Sequence, residues 1–110
     1  MNYQFLKPRS EIPFGEVKSK IVDANPTTWK LEKDGYLGIN TLIYNSSGST
    51  ITVTINKDET NTVSIATANT PVPISGQIEE IKIAGATSGV TIVTEALSIK
   101  ELQKEGVISS

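Results

Sequence analysis

The side chains that could carry chemistry in this 110-residue chain are carboxylates, hydroxyls and amines, because cysteine and histidine are both absent. That absence removes thiol nucleophiles, Ser-His relays, His general acids, zinc sites and disulfides. Two carboxylate pairs remain, Asp58-Glu59 in a predicted turn and Glu79-Glu80 in a predicted strand. Neighbouring strand residues point to opposite faces, so Glu79 and Glu80 should not share one substrate. We therefore expect no catalytic residues.

Cation and phosphate sites are also weakly supported by the pattern. Side-chain oxygens come close together in one predicted turn, at Asn56, Asp58, Glu59 and Asn61. A calcium loop would also need a glycine, and Lys57 adds a positive charge in the middle. Gly35-x-x-Gly38 runs into a strand, so no helix N-terminus follows to hold an anion. We expect no metal and no cofactor.

Aromatic residues offer a binding alternative. Trp29, Tyr36 and Tyr44 fall on neighbouring predicted strands. Trp29 and Tyr36 could stack on sugar rings, as in carbohydrate-binding modules. The favoured interpretation is that Trp29 is a core anchor, since a small sandwich has few large side chains to fill its interior.

The elements that must position these residues are predicted to be strands. Ile and Val supply twenty-two residues and Thr thirteen, against six each of Leu and Ala, and β-branched side chains favour sheets. Ile51, Val53 and Ile55 alternate with threonines, which indicates a half-buried strand. Other strands are predicted over 16–22, 28–33, 36–44, 63–65, 77–84 and 90–94. Asp34-Gly35 and 85–89 are predicted to close hairpins, and 67–76 is predicted to be a loop or crossover.

The two ends of the chain differ from this middle. Residues 1–15 contain two prolines and are predicted to form an extended arm. Its apolar residues are candidate interaction residues, either packing on their own domain or docking on a neighbouring subunit: Phe5, Leu6, Ile12 and Phe14. In residues 98–110, Ser98 and Glu101 match a capping box and Gly106 can end a helix, which predicts two turns over 98–105. A helix this short must pack on its own sheet or on another copy.

These elements predict an all-β fold, an antiparallel β-sandwich or small barrel over residues 16–97, with an extended N-terminal arm and a short C-terminal helix. The net charge of -2 disfavours binding to nucleic acid. No apolar run is long enough to span a membrane, and the first six residues are too polar for a signal peptide, so we expect neither membrane contact nor Sec export.

Two Thr-rich segments carry a resemblance to a known class of protein. The run from Asn45 to Ile55 (NSSGSTITVTI) and the run from Ser88 to Val93 (SGVTIV) lie within residues 36–95. In style this part resembles small β-sandwich virion proteins of tailed bacteriophages, above all head decoration or capsid auxiliary proteins. No motif matches residue by residue, so the resemblance transfers no functional residues.

The resemblance implies a non-enzymatic structural protein that needs no cofactor. Its expected location is the virion, after synthesis in the host cytoplasm. Expected partners are the major capsid protein or other virion proteins, together with copies of the chain itself in a homo-oligomer such as a trimer. A phage tail or neck component and a small carbohydrate-binding module are the alternatives, the latter through Trp29 and Tyr36.

Overall fold

A computed structural model describes residues 4–8 and 15–108 and confirms the β-sandwich. Its described part contains eight strands: β1 Glu16–Ile21, β2 Thr27–Trp29, β3 Tyr36–Asn45, β4 Ile51–Ile55, β5 Val63–Ile65, β6 Val72–Ile74, β7 Ile81–Ala84 and β8 Val90–Ser98. The first sheet has the order β1-β8-β3-β6 and the second β2-β7-β4-β5, and every pairing is antiparallel. One helix, α1 Ile99–Lys104, follows β8 directly.

The main core lies between the two sheets and is almost entirely aliphatic. The predicted alternation of β4 holds at Ile51 and Val53, which are fully buried, whereas Thr54 is also buried and Ile55 only partly so. Fully or nearly fully buried partners come from both sheets: Val22, Leu31, Ile43, Ile65, Ile74, Ile78, Ile81, Ile83, Val90 and Ile92. Branched aliphatic side chains fill the space between two sheets about 10 Å apart.

The chain crosses between the sheets at nearly every connection. Among the described strands, only β4 and β5 are consecutive in sequence and paired in space. The hairpin predicted at 85–89 is therefore wrong, because β7 belongs to the second sheet and β8 to the first. Turn residues indicate that the chain bends, but they do not say which sheet it enters next.

A second predicted hairpin, at Asp34-Gly35, is wrong for the same reason and for a local one. The strand predicted over 28–33 ends at Trp29, and Glu32–Asp34 form a short 3-10 helix. Gly35 ends this helix in the left-handed conformation, with φ 92°. Glycine adopts this positive φ without steric cost. At Gly35 it ends a helical turn and does not join two paired strands.

Two strand predictions in the second half of the chain also need correction. The predicted loop 67–76 contains β6, which pairs with β3 at the edge of the first sheet. Its central Pro73 is tolerated because an edge strand needs hydrogen bonds on one side only. The strand predicted over 77–84 begins only at Ile81, so Glu79 and Glu80 lie before it. Ile78 forms an isolated bridge with Gly38 instead.

A bulge in β3 reverses which side chains face the core. The pairing of β3 with β8 shifts register between Ile39 and Leu42, and Asn40 has a positive φ of 51°. An unbroken alternation along the predicted strand 36–44 would place Leu37, Ile39, Thr41 and Ile43 on one face, and the structure contradicts this. Leu37 and Ile39 lie on the outside of the sheet, whereas Thr41 and Ile43 lie on the inside.

The helix prediction is confirmed, and its partner is the domain's own sheet. The Ser98 hydroxyl accepts a hydrogen bond from the Glu101 amide, and Gly106 has a φ of 70°. Ile99 and Leu102 are buried on the outside of the first sheet. They form a second core cluster with Leu37, Ile39, Leu97, Val107 and Ile108, against which Phe5 also packs.

Candidate functional site

The outside of the first sheet carries the largest group of exposed apolar side chains among the described residues. We call its uncovered part the outer face and define it by the strand positions that cross-strand pairing places side by side: Val17, Ser19, Ile21, Leu42, Tyr44, Pro73, Thr91 and Val93. None of these eight carries a formal charge at neutral pH. Four-strand geometry gives the face an area of roughly 300–400 Å². Patches of this size on small proteins are often interaction sites.

Strand β1 supplies the most exposed apolar residues of the outer face. Val17 is 74% exposed and Ile21 67% exposed. Their neighbours Lys18 and Lys20 point to the inside of the sheet, toward the gap between the two layers. The Lys18 ammonium lies 4.4 Å from the centroid of the Tyr36 ring and 3.5 Å from a Glu16 carboxylate oxygen. The strand therefore presents its apolar residues to solvent, the reverse of an ordinary half-buried strand.

Glu95 marks the boundary between the outer face and the half of the sheet covered by α1. One carboxylate oxygen accepts a hydrogen bond from the Gly15 amide at 3.0 Å, and the other accepts one from Asn40 Nδ2 at 3.2 Å. Asn40 is the residue at the β3 bulge. Asn40 thus helps to fix the one charged side chain on this side of β8, which is the direct cross-strand neighbour of Val17 and adjoins the outer face.

Two of the predicted interaction residues lie in the short N-terminal stretch that the structure describes. Phe5 is half-buried against the cluster under α1 and bridges Ile108, and the Leu6 amide donates to the Val107 carbonyl at 2.6 Å. Phe5 therefore packs on its own domain, one of the two alternatives for the arm. Leu6 is 58% exposed. Ile12 and Phe14 lie outside the described residues.

Trp29 and Tyr36, the other two predicted interaction residues, are brought together at the side of the sandwich. They line a hollow of about 240 Å³ together with Lys18, Leu31, Asp34 and Ser19, the last of which also belongs to the outer face. Both rings are half-buried against the main core. Tyr44, the third aromatic of the predicted platform, lies instead on the outer face, 43% exposed.

The carboxylate pair Glu79-Glu80 lines a charged cleft of about 400 Å³. Both residues line this cleft, and because neither lies in a strand, the strand alternation expected to separate their side chains does not apply. Burial raises the pKa of Glu79, and the neighbouring Glu32 carboxylate raises it further. Asn56 supports the segment, its Oδ1 accepting from the Glu79 amide at 2.6 Å. Lys30, Lys33 and Lys57 complete the walls, which leaves the cleft with balanced charge.

The remaining polar motifs have structural roles. Asp58 Oδ1 accepts from the Thr60 hydroxyl at 2.6 Å, and Glu59 pairs with Lys82 at 2.9 Å, so these oxygens hold a turn. Across residues 4–8 and 15–108, no three acidic side chains cluster closely enough to hold a metal ion. Gly38 is a glycine because a Cβ there would lie 2.8 Å from Thr94 Oγ1.

Asn45, at the end of β3, is a buried structural residue. Its Nδ2 donates to the Ser49 and Ile65 carbonyls at 2.8 and 3.0 Å, and its Oδ1 accepts from the Ser47 amide at 3.0 Å and the Ser47 hydroxyl at 2.7 Å. The side chain thereby ties β3 to β5 of the other sheet. Asn45 thus also fixes the start of the polar run that follows β3.

The outer face was not identified from the sequence, although part of its signal is visible there. Val17, Ser19 and Ile21 alternate with Glu16, Lys18 and Lys20, which indicates a strand with one apolar face. The usual assumption turns that face inward. Only the packing of the sheet shows that it turns outward.

No family model, curated protein or solved structure matches this chain. No helix in the described part of the chain is long and apolar enough to cross a membrane. The fold and the site together define a small two-sheet β-sandwich in which, among the described residues, part of the outside of one sheet is apolar and exposed.

Proposed function

We propose that this chain is a non-enzymatic structural protein of a tailed-phage virion, a capsid-surface decoration protein that attaches to other proteins through its outer face. The observation that carries the proposal is the outer face itself, on which Val17 and Ile21 stand exposed beside half-buried Leu42 and Val93. An exposed and mainly apolar surface of this kind fits contact with protein. The similarity in style of residues 36–95 to small virion proteins supports the assignment of this attachment to a phage particle.

A decoration protein also explains why a modest face suffices. An area of roughly 300–400 Å² per copy is about half of what one partner contributes to a standard stable interface. When many copies sit on one particle, each weak contact is reinforced by its neighbours, and the total affinity rises without additional contact area. The proposed partners are accordingly the major capsid protein or other virion proteins, and further copies of this chain.

The location is tested on particles produced from the genome that encodes the chain. Heads and tails are separated on a density gradient, and the chain is quantified in each fraction by mass spectrometry. We expect many copies with the heads. Recovery with tails or necks would favour the alternative of a tail or neck component, and absence from both fractions would contradict a virion role.

The role of the outer face is tested by co-sedimentation with particles that lack the chain. The double variant Val17→Thr, Ile21→Thr keeps β-branched side chains on β1 while removing most of the exposed apolar surface. We expect its bound copies to fall at least about tenfold. Val63→Thr is the matched control, because Val63 is an exposed valine on a strand of the other sheet, and it should bind like the wild type.

A second candidate function, a small carbohydrate-binding module, is favoured by the hollow that brings Trp29 and Tyr36 together. Asp34 offers a carboxylate to sugar hydroxyls, and the hollow of about 240 Å³ has room for a single ring. The Lys18 ammonium already occupies one face of Tyr36. A glycan array with wild type, Trp29→Phe and Asp34→Asn tests this: binding that both variants weaken supports the module, and no binding by the wild type eliminates it.

A further inference from the structure

We infer that one end of the sandwich, which we call the loop end, binds the uncharged surface of a partner protein. The loop end consists of three neighbouring connections between the sheets: β7–β8 (85–89), β3–β4 (46–50) and β5–β6 (66–71). This inference rests on the proposed function, because the partner is one of the virion proteins to which the chain attaches. It adds a second contact region beside the outer face and states the chemistry of the surface that meets it.

The topology places four connections side by side at the loop end. The first sheet has the order β1-β8-β3-β6 and the second the order β2-β7-β4-β5. Each strand of the first sheet therefore stands opposite the strand to which it is joined in the second. The connections follow in the order β1–β2, β7–β8, β3–β4 and β5–β6. The first two meet where the Asn25 Oδ1 accepts a hydrogen bond from the Gly85 amide at 3.0 Å.

Hydrogen bonds and close packing join the three connections of the loop end to one another. The Ser46 amide donates to the Gly89 carbonyl at 2.8 Å. A Cβ on Gly89 would lie 2.8 Å from the Ser47 Cα, so these two connections touch through their backbones. The Gly48 amide donates to the Thr67 hydroxyl at 2.8 Å. The loop end is therefore braced before any partner arrives, which reduces the ordering that binding requires.

Formal charges are distributed unequally between the two ends of the sandwich. The three connections of the loop end contain none, although about a quarter of the residues of a typical protein are charged. Asp23, in the β1–β2 connection at the edge of the row, is the one charged residue of the four connections on this side. The connections at the opposite end, 30–35, 56–62 and 75–80, contain nine: Lys30, Glu32, Lys33, Asp34, Lys57, Asp58, Glu59, Glu79 and Glu80.

The loop end offers hydrogen-bonding groups without charge. Its exposed polar side chains are hydroxyls and one amide: Ser46, Ser49, Thr50, Thr67, Asn69, Thr70, Thr87 and Ser88. A formal charge on the partner would lose its hydration against these groups without gaining an opposite charge, which is costly. The matching surface therefore presents uncharged groups such as backbone amides, carbonyls and hydroxyls.

A row of side chains beside the loop end indicates that the partner is a protein. Cross-strand pairing aligns Ile21, Thr91 and Tyr44 on β1, β8 and β3, two residues from the end of the β7–β8 connection. Ile21 is 67% exposed and Tyr44 43% exposed. An aliphatic side chain and a tyrosine next to an uncharged surface resemble the centre of a protein interface, where aromatic residues are enriched and charges depleted. Glu95 lies four residues farther along β8, about 13 Å from this row.

Charges introduced at the loop end test the inference by co-sedimentation with particles that lack the chain. We expect Thr87→Glu, Thr87→Lys and Thr70→Glu each to lower the bound copies at least about tenfold, because each buries a charge without a partner. Thr62→Glu is the matched control, since Thr62 is an exposed threonine in the β4–β5 connection at the opposite end, and it should bind like the wild type. Circular dichroism melts of each variant show that the fold is retained.

Two treatments test the chemistry of the partner with the wild-type chain. Raising the NaCl concentration from about 50 to about 500 mM should change the bound copies less than about twofold, because the contact contains no charge pair to screen. Mild periodate treatment of the particles, which cleaves sugar diols, should leave binding unchanged. A larger loss in salt would show a charged partner surface, and a loss after periodate would show a glycan; either result would overturn the inference.

The results separate this inference from the proposed function. Loop-end variants that bind like the wild type refute this inference alone, and attachment then depends on the outer face. Wild type that is neither recovered with particles nor bound by particles lacking it refutes the proposed function, and this inference with it.

Discussion

The outside of the first sheet has two halves that are built from the same strands and differ in their cover. In one half Leu37, Ile39 and Leu97 are sealed by α1, with Phe5 against the same cluster. In the other half Leu42 and Val93 lie half-buried with nothing from the described chain above them, and Val17 and Ile21 are open to solvent. The chain thus uses one half of this surface to complete its own fold and keeps the other half available.

This difference in cover indicates which half of the surface is available for binding. Apolar residues under α1 stabilise the monomer, because their surface leaves water when the chain folds. Apolar residues on the outer face gain little from folding and would gain more from association. The same chemistry therefore contributes to stability in one half and to binding in the other, and single substitutions can separate the two.

The sharpest test compares two residues of β8 on the same side of the sheet. Leu97 is 2% exposed under α1, and Val93 is half-buried on the outer face. We expect Leu97→Ala to lower the free energy of unfolding by about 2–5 kcal/mol, because it leaves a cavity. Val93→Ala should cost about 1 kcal/mol. Urea unfolding measures both free energies, and equal losses in the two variants would contradict the conclusion that α1 covers Leu97 but not Val93.

A smaller loss of stability is expected from weakening α1, the helix that covers one half of this surface. Ser98→Ala removes the hydroxyl that accepts from the Glu101 amide at the start of α1, and should lower the free energy of unfolding by about 1 kcal/mol. Ser19→Ala, on the open half, is the control and should change it by less than about 0.5 kcal/mol. A comparable loss in both variants would show that the cap does not stabilise the cover.

The smallest effect is expected at the charged cleft, which lies outside both halves. Because the folded protein raises the pKa of Glu79 through burial and Glu32, protonated Glu79 favours folding. This contribution is present below the pKa of the unfolded chain, about 4.3, and is lost as the pH rises through the higher folded pKa. Glu79→Gln stays neutral, so wild type should lose stability relative to this variant between about pH 4 and pH 7.

Urea unfolding of wild type and Glu79→Gln at both pH values measures this difference. Glu59→Gln is the control, since Glu59 pairs with Lys82 at the surface of another turn. A stability difference between wild type and Glu79→Gln that does not change with pH would contradict the raised pKa.

The sequence was sufficient to predict an element wherever its local pattern agrees with its tertiary contacts. The alternation of Ile51 and Val53 with threonines predicted β4, and Ser98, Glu101 and Gly106 predicted the start and end of α1. These features depend on neighbours in sequence: the period of a strand and the hydrogen bonds of a helix terminus. The β-sandwich followed from several such strands separated by turns.

The failures share a different origin. The bulge at Asn40 depends on the register with β8, and a shift of one residue exchanges the inner and outer sides of a strand. Strand β6 was missed because Pro73 is acceptable only on an edge, and position in a sheet is not visible locally. Of the predicted interaction residues, Phe5 packs on its own domain and Trp29 and Tyr36 share a hollow, while the exposed Val17 and Ile21 were not identified.

The order of residues alone determined the kinds of element, their approximate places and the absence of thiol and imidazole chemistry, because these depend on residue type and short-range spacing. Tertiary structure decided which sheet each strand joins, which side of β1 faces water and which half of the first sheet α1 covers. Those outcomes depend on contacts between residues far apart in the chain, such as Val17 beside Glu95 or Leu37 beside Leu97. The apolar face open to solvent exists only because those long-range pairings turn Val17 and Ile21 outward.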